Sequence, residues 1–368
     1  MIKVKLGEVA DILSGYAFKS TQFNTEKRGL PLIRIRDVER GFSDTYFEGD
    51  FAEEYLVHNG DLLITMDGSF ILKKWAGGEA LLNQRVCKLI IRDNRVEEDY
   101  ISWIVPKYLK EIEDKTPFVT VKHLSVAKIN EISFELPHRS EQLVISNQLN
   151  NIKDIYNLRL QQLSKLSDLV KSRFIEFFGH PETNEKGWKI NTFADICTVR
   201  QGLQIPISKR LTEYEENCYE YITVQYLHGG KEQEYIKCPK STVICNKEDI
   251  LMTRTGNTGM VVTGVDGVFH NNFFLIDFDR NRYDKNFLVQ YLNLDIIQTD
   301  IRRRAGTSTI PDLNHSEFYK IPVFEPPIEL QIQFNNFIKQ VDKSQLAIKK
   351  SLEELETLKK SLMQVYFG

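Results

Sequence analysis

LSKLSDLVKSRFIEFFG (163–179) lies over LEELETLKKSLMQVYFG (352–368) at an offset of 189 residues, and both stretches end in Phe-Gly. The register holds without a gap back to the entrances of the two segments, where Pro137 falls on Pro326, Gln142 on Gln331 and Asn147 on Asn336. It continues upstream to Thr120 over Thr309 and Leu124 over Leu313. Closer to the N-terminus the repeat loosens. LPLIRIRDVERG (30–41) sits over YEYITVQYLHGG (219–230), GDLLITMDGSF (60–70) over EDILMTRTGNT (248–258), and LGEVADILSG (6–15) over FADICTVRQG (193–202). The 368-residue chain therefore reads as a globular unit followed by a long helix, twice over, with room for at least two cores.

The helical segments carry the clearest periodicity. Ile145, Leu149, Ile152, Tyr156, Leu160, Leu163, Leu166, Val170 and Phe174 step by three or four. So do Phe334, Ile338, Val341, Gln345, Ile348, Leu352 and Leu355, with Gln345 a polar interruption. Each segment is about 39 residues, about 58 Å at 1.5 Å per residue. A stripe of that length exceeds what a compact domain covers, so the two helices are expected to pack on each other as an antiparallel coiled coil; two independent surface helices are the simpler alternative. Ser140-Glu141 suits a helix start, and Gly179 and Gly368 sit where a C′ glycine belongs.

The globular parts mix both periodicities. LPLIRIRDV, DLLITM, CKLIIR, YEYITVQYL, TGMVVTGV and FFLIDF, punctuated by Gly, Asn and Asp, read as strands and turns. ISWIVPKYL (101–109) and NFLVQYLNLDIIQTDIRR (286–303) have helical spacing, the first expected to break or kink at Pro106. The predicted fold class is α+β: two similar mixed α/β domains separated by two long antiparallel coiled-coil helices, with a pseudo-twofold internal repeat. The boundaries read from the sequence are a first domain over 1–139, a first long spacer helix over 140–179, a linker over 180–189 (HPETNEKGWK), a second domain over 190–327 and a second long spacer helix over 328–368.

Composition narrows the function classes. With 42% hydrophobic and 27% charged residues and only 11 Pro, disorder and collagen-like repeats are excluded. A formal net charge of −3 excludes a protein that coats nucleic acid by bulk electrostatics, so any such site is a local patch. The five cysteines are odd in number and form no C-x-x-C pair, which supports neither a disulfide framework nor a zinc ribbon and fits a reducing, cytoplasmic compartment. No stretch approaches 18 uninterrupted apolar residues, so no membrane association is expected.

The order of segments resembles one family, the specificity (S) subunit of type I restriction-modification enzymes. The likeness rests on the two long helices entered after a proline, LPHRSEQLVISNQL (136–149) and EPPIELQIQFNNFI (325–338). It also rests on the segments before them, KTPFVTVKHLSVAKINEISFELP and GTSTIPDLNHSEFYKIPVFEPP, and on ILMTRTGNTG of the second unit. The first unit departs at MDGSFILKKWAGG (66–78), where the second has Thr-Arg-Thr-Gly. The resemblance implies that each globular unit is a target recognition domain reading one half of a split, asymmetric double-stranded DNA target. It implies that the helices are a rigid spacer and docking surface for two modification (methyltransferase) subunits, with restriction (translocase/nuclease) subunits joining the full complex. Half-sites about one helical turn apart, about 34 Å, are compatible with such a spacer. The contrasting class is a structural coiled-coil scaffold with two protein-binding globular domains.

Phosphate contacts position a protein and base-edge contacts specify sequence, so polar and basic groups at strand ends are the DNA-binding candidates. In TRTGNTG (253–259), Arg254 and Asn257 can make bidentate contacts to guanine and adenine, with Gly256 and Gly259 allowing close backbone approach; a polar hairpin turn is the plain reading. Asn271 and Asn272 in HNN, and Gln84 and Arg85 in NQR, fall at equivalent places and otherwise read as solvated strand ends. Arg34 and Arg36 are expected on one face of a strand, gripping phosphate or pairing with Asp37 and Glu39. Lys73, Lys74 and Trp75 combine charge with an aromatic in a presumed loop. Arg302, Arg303 and Arg304 form the densest basic cluster, or complement a helix macrodipole. Tyr16, Lys19, Lys209 and Arg210 follow the equivalent glycines Gly15 and Gly202. Residues 2–139 hold 20 Lys and Arg against 22 Asp and Glu, so the grip on DNA is expected to be shared with partner subunits.

Catalytic signatures are missing. Glu325-Pro326-Pro327-Ile328 lacks the Asn or Asp before the prolines and the aromatic after them that an adenine methyltransferase needs, and no G-x-x-x-x-G-K-[ST] occurs. His228-Gly229-Gly230 has no G-x-S-x-G nucleophile to serve, and His270-Asn271-Asn272 lacks the clustered acids of a metal site. No catalytic residue, metal site or cofactor is expected.

Overall fold

A computed structural model describes residues 2–116, 122–306 and 311–368. The expected correspondence of Thr120 with Thr309 lies outside the described residues. The chain divides into two compact units, Met1–Leu158 with Leu352–Gly368, and Arg159–Ser351.

In the first unit, Ile2–Lys5 pairs antiparallel with Ser133–Leu136, so the globular body opens and closes in one ribbon at the long helix's entrance. A four-stranded antiparallel sheet runs Ala10–Ser14, Val86–Ile91, Leu62–Thr65, Leu72–Lys74. A five-stranded sheet of short strands runs Phe23–Asn24, Tyr46–Phe47, Leu30–Ile33, Ala80–Leu82, Leu56–Val57, with a parallel rung between Ile33 and Leu82. All four residues of Leu62–Thr65 are buried. The two-residue period of a strand sends Leu62 and Ile64 to one core and Leu63 to another. The first core takes Ile101, Ile104, Val105 and Leu109 from the helix Glu98–Lys115, and Ile145 and Leu149 from the long helix. The second gathers Trp75, Ile33, Val38 and Val86.

The second unit repeats this plan. Lys189–Thr192 pairs with Pro322–Glu325. The antiparallel sheet runs Cys197–Gln201, Phe273–Phe278, Ile250–Thr253, Val261–Val262. The other sheet runs Tyr235–Lys237, Cys218–Ile222, Gly267–Phe269, Ile244–Cys245, again with a parallel rung, Ile222 to Phe269. Ile250 and Met252 face one core and Leu251 the other.

The long helices span Arg139–Phe178 and Ile328–Phe367, 40 residues each. Within each unit the start of one runs antiparallel to the end of the other. In the first unit Tyr156 Oη donates to Glu356 Oε1 at 2.9 Å, and Tyr366 bonds Gln148. In the second, Phe174 meets Phe334 edge-on at 5.5 Å and the Arg173 guanidinium lies over Phe337. The closing Phe-Gly motifs are explained by burial. Phe178 is fully buried against Phe287 at 4.8 Å, and Phe367 packs edge-on to Tyr100 at 5.6 Å. Gly179 adopts φ +78° and returns its N–H to Ile175 O, ending the first helix as a C′ glycine does.

At each helix entrance one glutamine is completely buried. Gln142 Oε1 accepts from Glu97 N at 2.9 Å, while its Nε2 donates to Arg95 O and Pro137 O at 2.9 Å each. Gln331 repeats the set with Asp284 N (2.8 Å), Arg282 O (3.0 Å) and Pro326 O (2.8 Å). The amide thus fastens the long helix to the loop that starts each domain's own helix, Glu98–Lys115 or Lys285–Leu292.

Two local expectations are corrected. Pro106 does not end its helix, which runs on through Lys115. Five buried side chains flank it, Tyr100, Ile101, Ile104, Val105 and Leu109. At about 1.5–3 kcal/mol each they outweigh the about 3 kcal/mol cost of an internal proline. LPLIRIRDV is not one strand: it turns at Arg34 from Leu30–Ile33 into the helix Ile35–Arg40. Asp37, fully buried, accepts the Arg34 N–H at 3.0 Å, and Gly41 at φ +78° closes the helix. YEYITVQYL behaves alike, with a strand ending at Ile222 and a helix Val224–Leu227 capped by Thr223.

Replacing Gln331 or Gln142 with Leu leaves one N–H and two carbonyls without their partner. The variant is expected to lose about 3 kcal/mol of stability in the affected unit, read as a lowered urea midpoint, with proteolysis starting at that helix entrance.

Candidate functional site

In each unit three chain segments meet where the antiparallel sheet ends. In the first, Met66 N donates to Arg85 O at 3.0 Å and Leu124 N to Met66 O at 2.7 Å. In the second, Arg254 N donates to Asn272 O at 2.7 Å and Leu313 N to Arg254 O at 2.9 Å. A fourth segment closes in through the equivalent glycines. A Cβ on Gly15 would stand 2.2 Å from Asn83 O, and one on Gly202 2.2 Å from His270 O. This close approach seats Tyr16, whose carbonyl accepts the Gln84 N–H at 3.0 Å, beside the 83–85 loop.

The side chains at this junction form charged clasps. In the first unit Asp67, mostly buried, forms an ion pair with Arg85, Nη1 to Oδ2 at 2.9 Å, and lies 2.6 Å from His123 Nδ1. Arg85 and Gln84 are exposed, and Tyr16 is half-exposed beside Phe18 and Tyr55. In the second unit Arg254 is gripped side-on by Asp312, Nε to Oδ1 at 2.8 Å and Nη2 to Oδ2 at 2.6 Å, while Nη1 donates to Gln201 Oε1 at 3.1 Å. The same Gln201 oxygen lies 2.9 Å from His315 Nε2. Hydrogen bonding from Arg254 holds the Asp312 carboxyl below the ordinary carboxylate range. Burial, helped by Arg254, pushes the His315 imidazole below its ordinary range. Asn271 and Asn272 are half-buried, and the buried Asn271 Oδ1 makes no hydrogen bond among the described residues.

TRTGNTG is a hairpin turn joining Ile250–Thr253 to Val261–Val262, with Thr253 buried and bonded to Asn257 O. Asn257 is exposed at its tip. It lines, with Gly256, Gln298 and Arg302, a cleft of about 470 Å³. The two glycines differ from each other. Gly256 is there for φ +80° in open space, whereas at Gly259 (φ +90°) the approaching neighbours are Ile301 and Gln298 of the protein itself.

Other candidates are held by the fold. Arg34 and Arg36 do not share a strand face: Arg34 precedes a helix and Arg36 within it pairs with Asp37 (3.6 Å) and Asp44 (3.1 Å). Lys73 and Lys74 lie on the strand Leu72–Lys74 instead of a loop; Lys73 donates to Glu39 O and Lys74 pairs with Asp99 at 2.6 Å. Trp75 belongs to the core, its indole N–H on Gly78 O. Arg210 is mostly buried, donating twice to Ile205 O and pairing with Glu234 at 3.1 Å. Arg303 and Arg304 fold back onto Asp300 in the last turn of the helix Asp295–Ala305, and Arg304 also reaches Glu317. Lys19 and Lys209 are exposed at the edges of short 3-10 turns.

The partners that organise the junction, Asp67, His123, Gln201, Asp312 and His315, were not among the expected residues. Their signal in the sequence is the repeat register alone, which sets Asp67 over Thr255 and His123 over Asp312.

This duplicated scaffold is matched twice by the family model for the type I restriction modification DNA specificity domain, over residues 1–167 and 185–359. The chain belongs to this family. A 168-residue stretch is 39% identical to the type I restriction enzyme EcoBI specificity subunit of Escherichia coli, covering 45% of this chain and 35% of that protein. Another, of 181 residues, is 23% identical to the MjaVIII specificity subunit of Methanocaldococcus jannaschii, covering 49% of this chain and 42% of that one. The match therefore spans less than half the length of these curated relatives. The crystal structure of the type I restriction-modification S subunit from M. genitalium shares the fold of this specificity-domain chain, with a TM-score of 0.61 at 15% identity over 98% of this chain and 94% of that one. A chain from a structure of type I system assembly gives 0.59 at 14% identity, covering 100% and 97%. Among the described residues, no helix of the specificity domains is long and apolar enough to cross a membrane.

Because the Gly15 and Gly202 positions admit no Cβ without moving a carbonyl, Gly202→Ala or Gly15→Ala is expected to cost about 1–3 kcal/mol. A lowered thermal midpoint measures it.

Proposed function

We propose that the chain is the sequence-specific DNA-binding specificity subunit of a type I restriction-modification system, without catalysis of its own. Each domain would read one half of a bipartite, asymmetric double-stranded target. The long helices would serve as spacer and docking surface for two modification subunits, with restriction subunits added in the full complex.

The observation that carries this reading is the duplicated junction. One backbone arrangement occurs twice, with the same rungs and the same close glycine, yet it presents Tyr16, Gln84 and Arg85 in one copy and Arg254, Asn257, Asn271 and Asn272 in the other. A repeated scaffold with unlike polar ends is what reading two different half-sites requires, since bases are distinguished by the donors and acceptors set against their edges. Many of the chain's cations are spent on internal ion pairs, as at Arg36, Lys74, Arg210 and Arg304. Binding by this subunit alone is therefore expected to be weak and salt-sensitive, with much of the phosphate grip supplied by partner subunits.

Copurified with its modification subunits, the chain is expected to shift a specific duplex in preference to a scrambled one. Failure to discriminate any sequence overturns the reading in favour of a protein-binding scaffold. Exchanging residues 1–139 for the corresponding unit of another family member is expected to change one half of the recognised sequence and leave the other intact, read by mapping methylated adenines; a change in both halves refutes independent reading.

A further inference from the structure

Arg85 and Arg254 do not correspond in the repeat, yet each occupies the equivalent junction of its own unit. The backbone rungs set Arg85 opposite Met66 and Arg254 opposite Asn272, so each arginine stands on the segment that the other copy fills with a neutral side chain. The carboxylate changes segment as well. Asp67 comes from the turn after Leu62–Thr65, whereas Asp312 comes from the segment that in the first unit supplies His123. The backbone does not demand either placement, because Met66 and Asn272 hold the equivalent sites without charge. What the two copies share is a guanidinium paired with an aspartate, through one ion pair at 2.9 Å in the first and two hydrogen bonds in the second.

We propose that Arg85 and Arg254 are the base-reading groups of the two domains, and that Asp67 and Asp312 are positioning residues that fix the orientation of each guanidinium. The inference rests on the DNA-reading role proposed above. An arginine that grips phosphate gains nothing from an adjacent carboxylate, which repels the backbone charge; an arginine that reads a base edge does. Asp312 takes the side-on edge of Arg254 through Nε and Nη2, and Gln201 takes one N–H of Nη1. These contacts use three of the five N–H donors and hold the guanidinium plane, leaving further donors on Nη1 and Nη2 for paired acceptors such as guanine O6 and N7. Side-chain ordering is then complete before DNA arrives. In the first unit Asp67 is itself steadied by His123, at 2.6 Å, while Arg85 remains half-exposed. Asp67 and Asp312 can also accept from a cytosine amine, which would extend the reading to the neighbouring pair.

The test uses the chain copurified with its modification subunits and a duplex library randomised across both half-sites, with the bound pool sequenced. For Arg254→Ala, the expected result is a loss of about ten- to hundredfold preference at one base pair of one half-site, with the other half-site unchanged. Arg85→Ala is expected to do the reciprocal. Arg254→Lys, which keeps the charge, is expected to lose the same preference because an ammonium cannot present a fork. Asp312→Asn is expected to weaken that same base pair by less, and to add nothing in combination with Arg254→Ala. A uniform fall in affinity with every base preference kept, or preferences unchanged in the arginine variants, overturns the proposal while the DNA-reading role stands. A wild-type complex that selects no sequence overturns that role and the proposal with it.

Discussion

A single buried amide at each helix entrance is the contact on which the rest of the architecture hangs. Gln142 and Gln331 are fully enclosed, and each satisfies three backbone groups that would otherwise be orphaned at the junction of ribbon, loop and helix. A leucine there would fill space but leave those groups unpaired, at a cost greater than the apolar burial returns. The amide therefore fixes where the long helix leaves the body and where the domain's own helix begins. At the other end of each long helix, Phe178 and Phe367 are buried in a domain core, which anchors the helix by packing where the glutamine anchors it by hydrogen bonding.

With entrances and exits held in this way, the loops at the far ends of the strands can differ without disturbing the frame. Leu62–Thr65 and Ile250–Thr253 are buried on every residue, and their continuations, 66–71 and 254–260, share almost no chemistry. That separation of a constrained frame from free ends suits the proposed reading of two unlike sequences with one fold. The chain's formal net charge is only −3. Lysines and arginines are abundant, yet many are committed to aspartates and glutamates beside them, and the arginines at the two junctions pair with acids as well.

Several surface residues are placed otherwise than spacing suggests, for a common reason. Arg34 and Arg36 have strand-like spacing, but Asp37 three residues after Arg34 supplies a helix cap that outcompetes it. Lys73, Lys74 and Trp75 look like a basic aromatic loop; the two lysines end an edge strand and the tryptophan just after it turns into the core. Arg210, which follows Gly202 in the chain, is enclosed by Ile205 O, Glu234 and the Tyr221 ring. In each case the deciding partner is either a short-range acid that spacing alone does not rank or a residue distant in sequence.

The sequence by itself determined the repeat, the α+β class, the two long helices to within a residue or two, and the equivalence of Gly15 with Gly202, because hydrophobic period and register are properties of residue order. Even the partnership of Gln142 with Gln331 is written in the register. Only the tertiary structure decided what those glutamines hold, that Pro106 sits inside a continuous helix, and which cations remain to act. Above all it decided that Arg85 and Arg254, which no alignment of the halves pairs, stand at equivalent junctions, one in each unit. Side chains from different segments converge there because strands return to the same sheet end, and that convergence is a fact of folding in space.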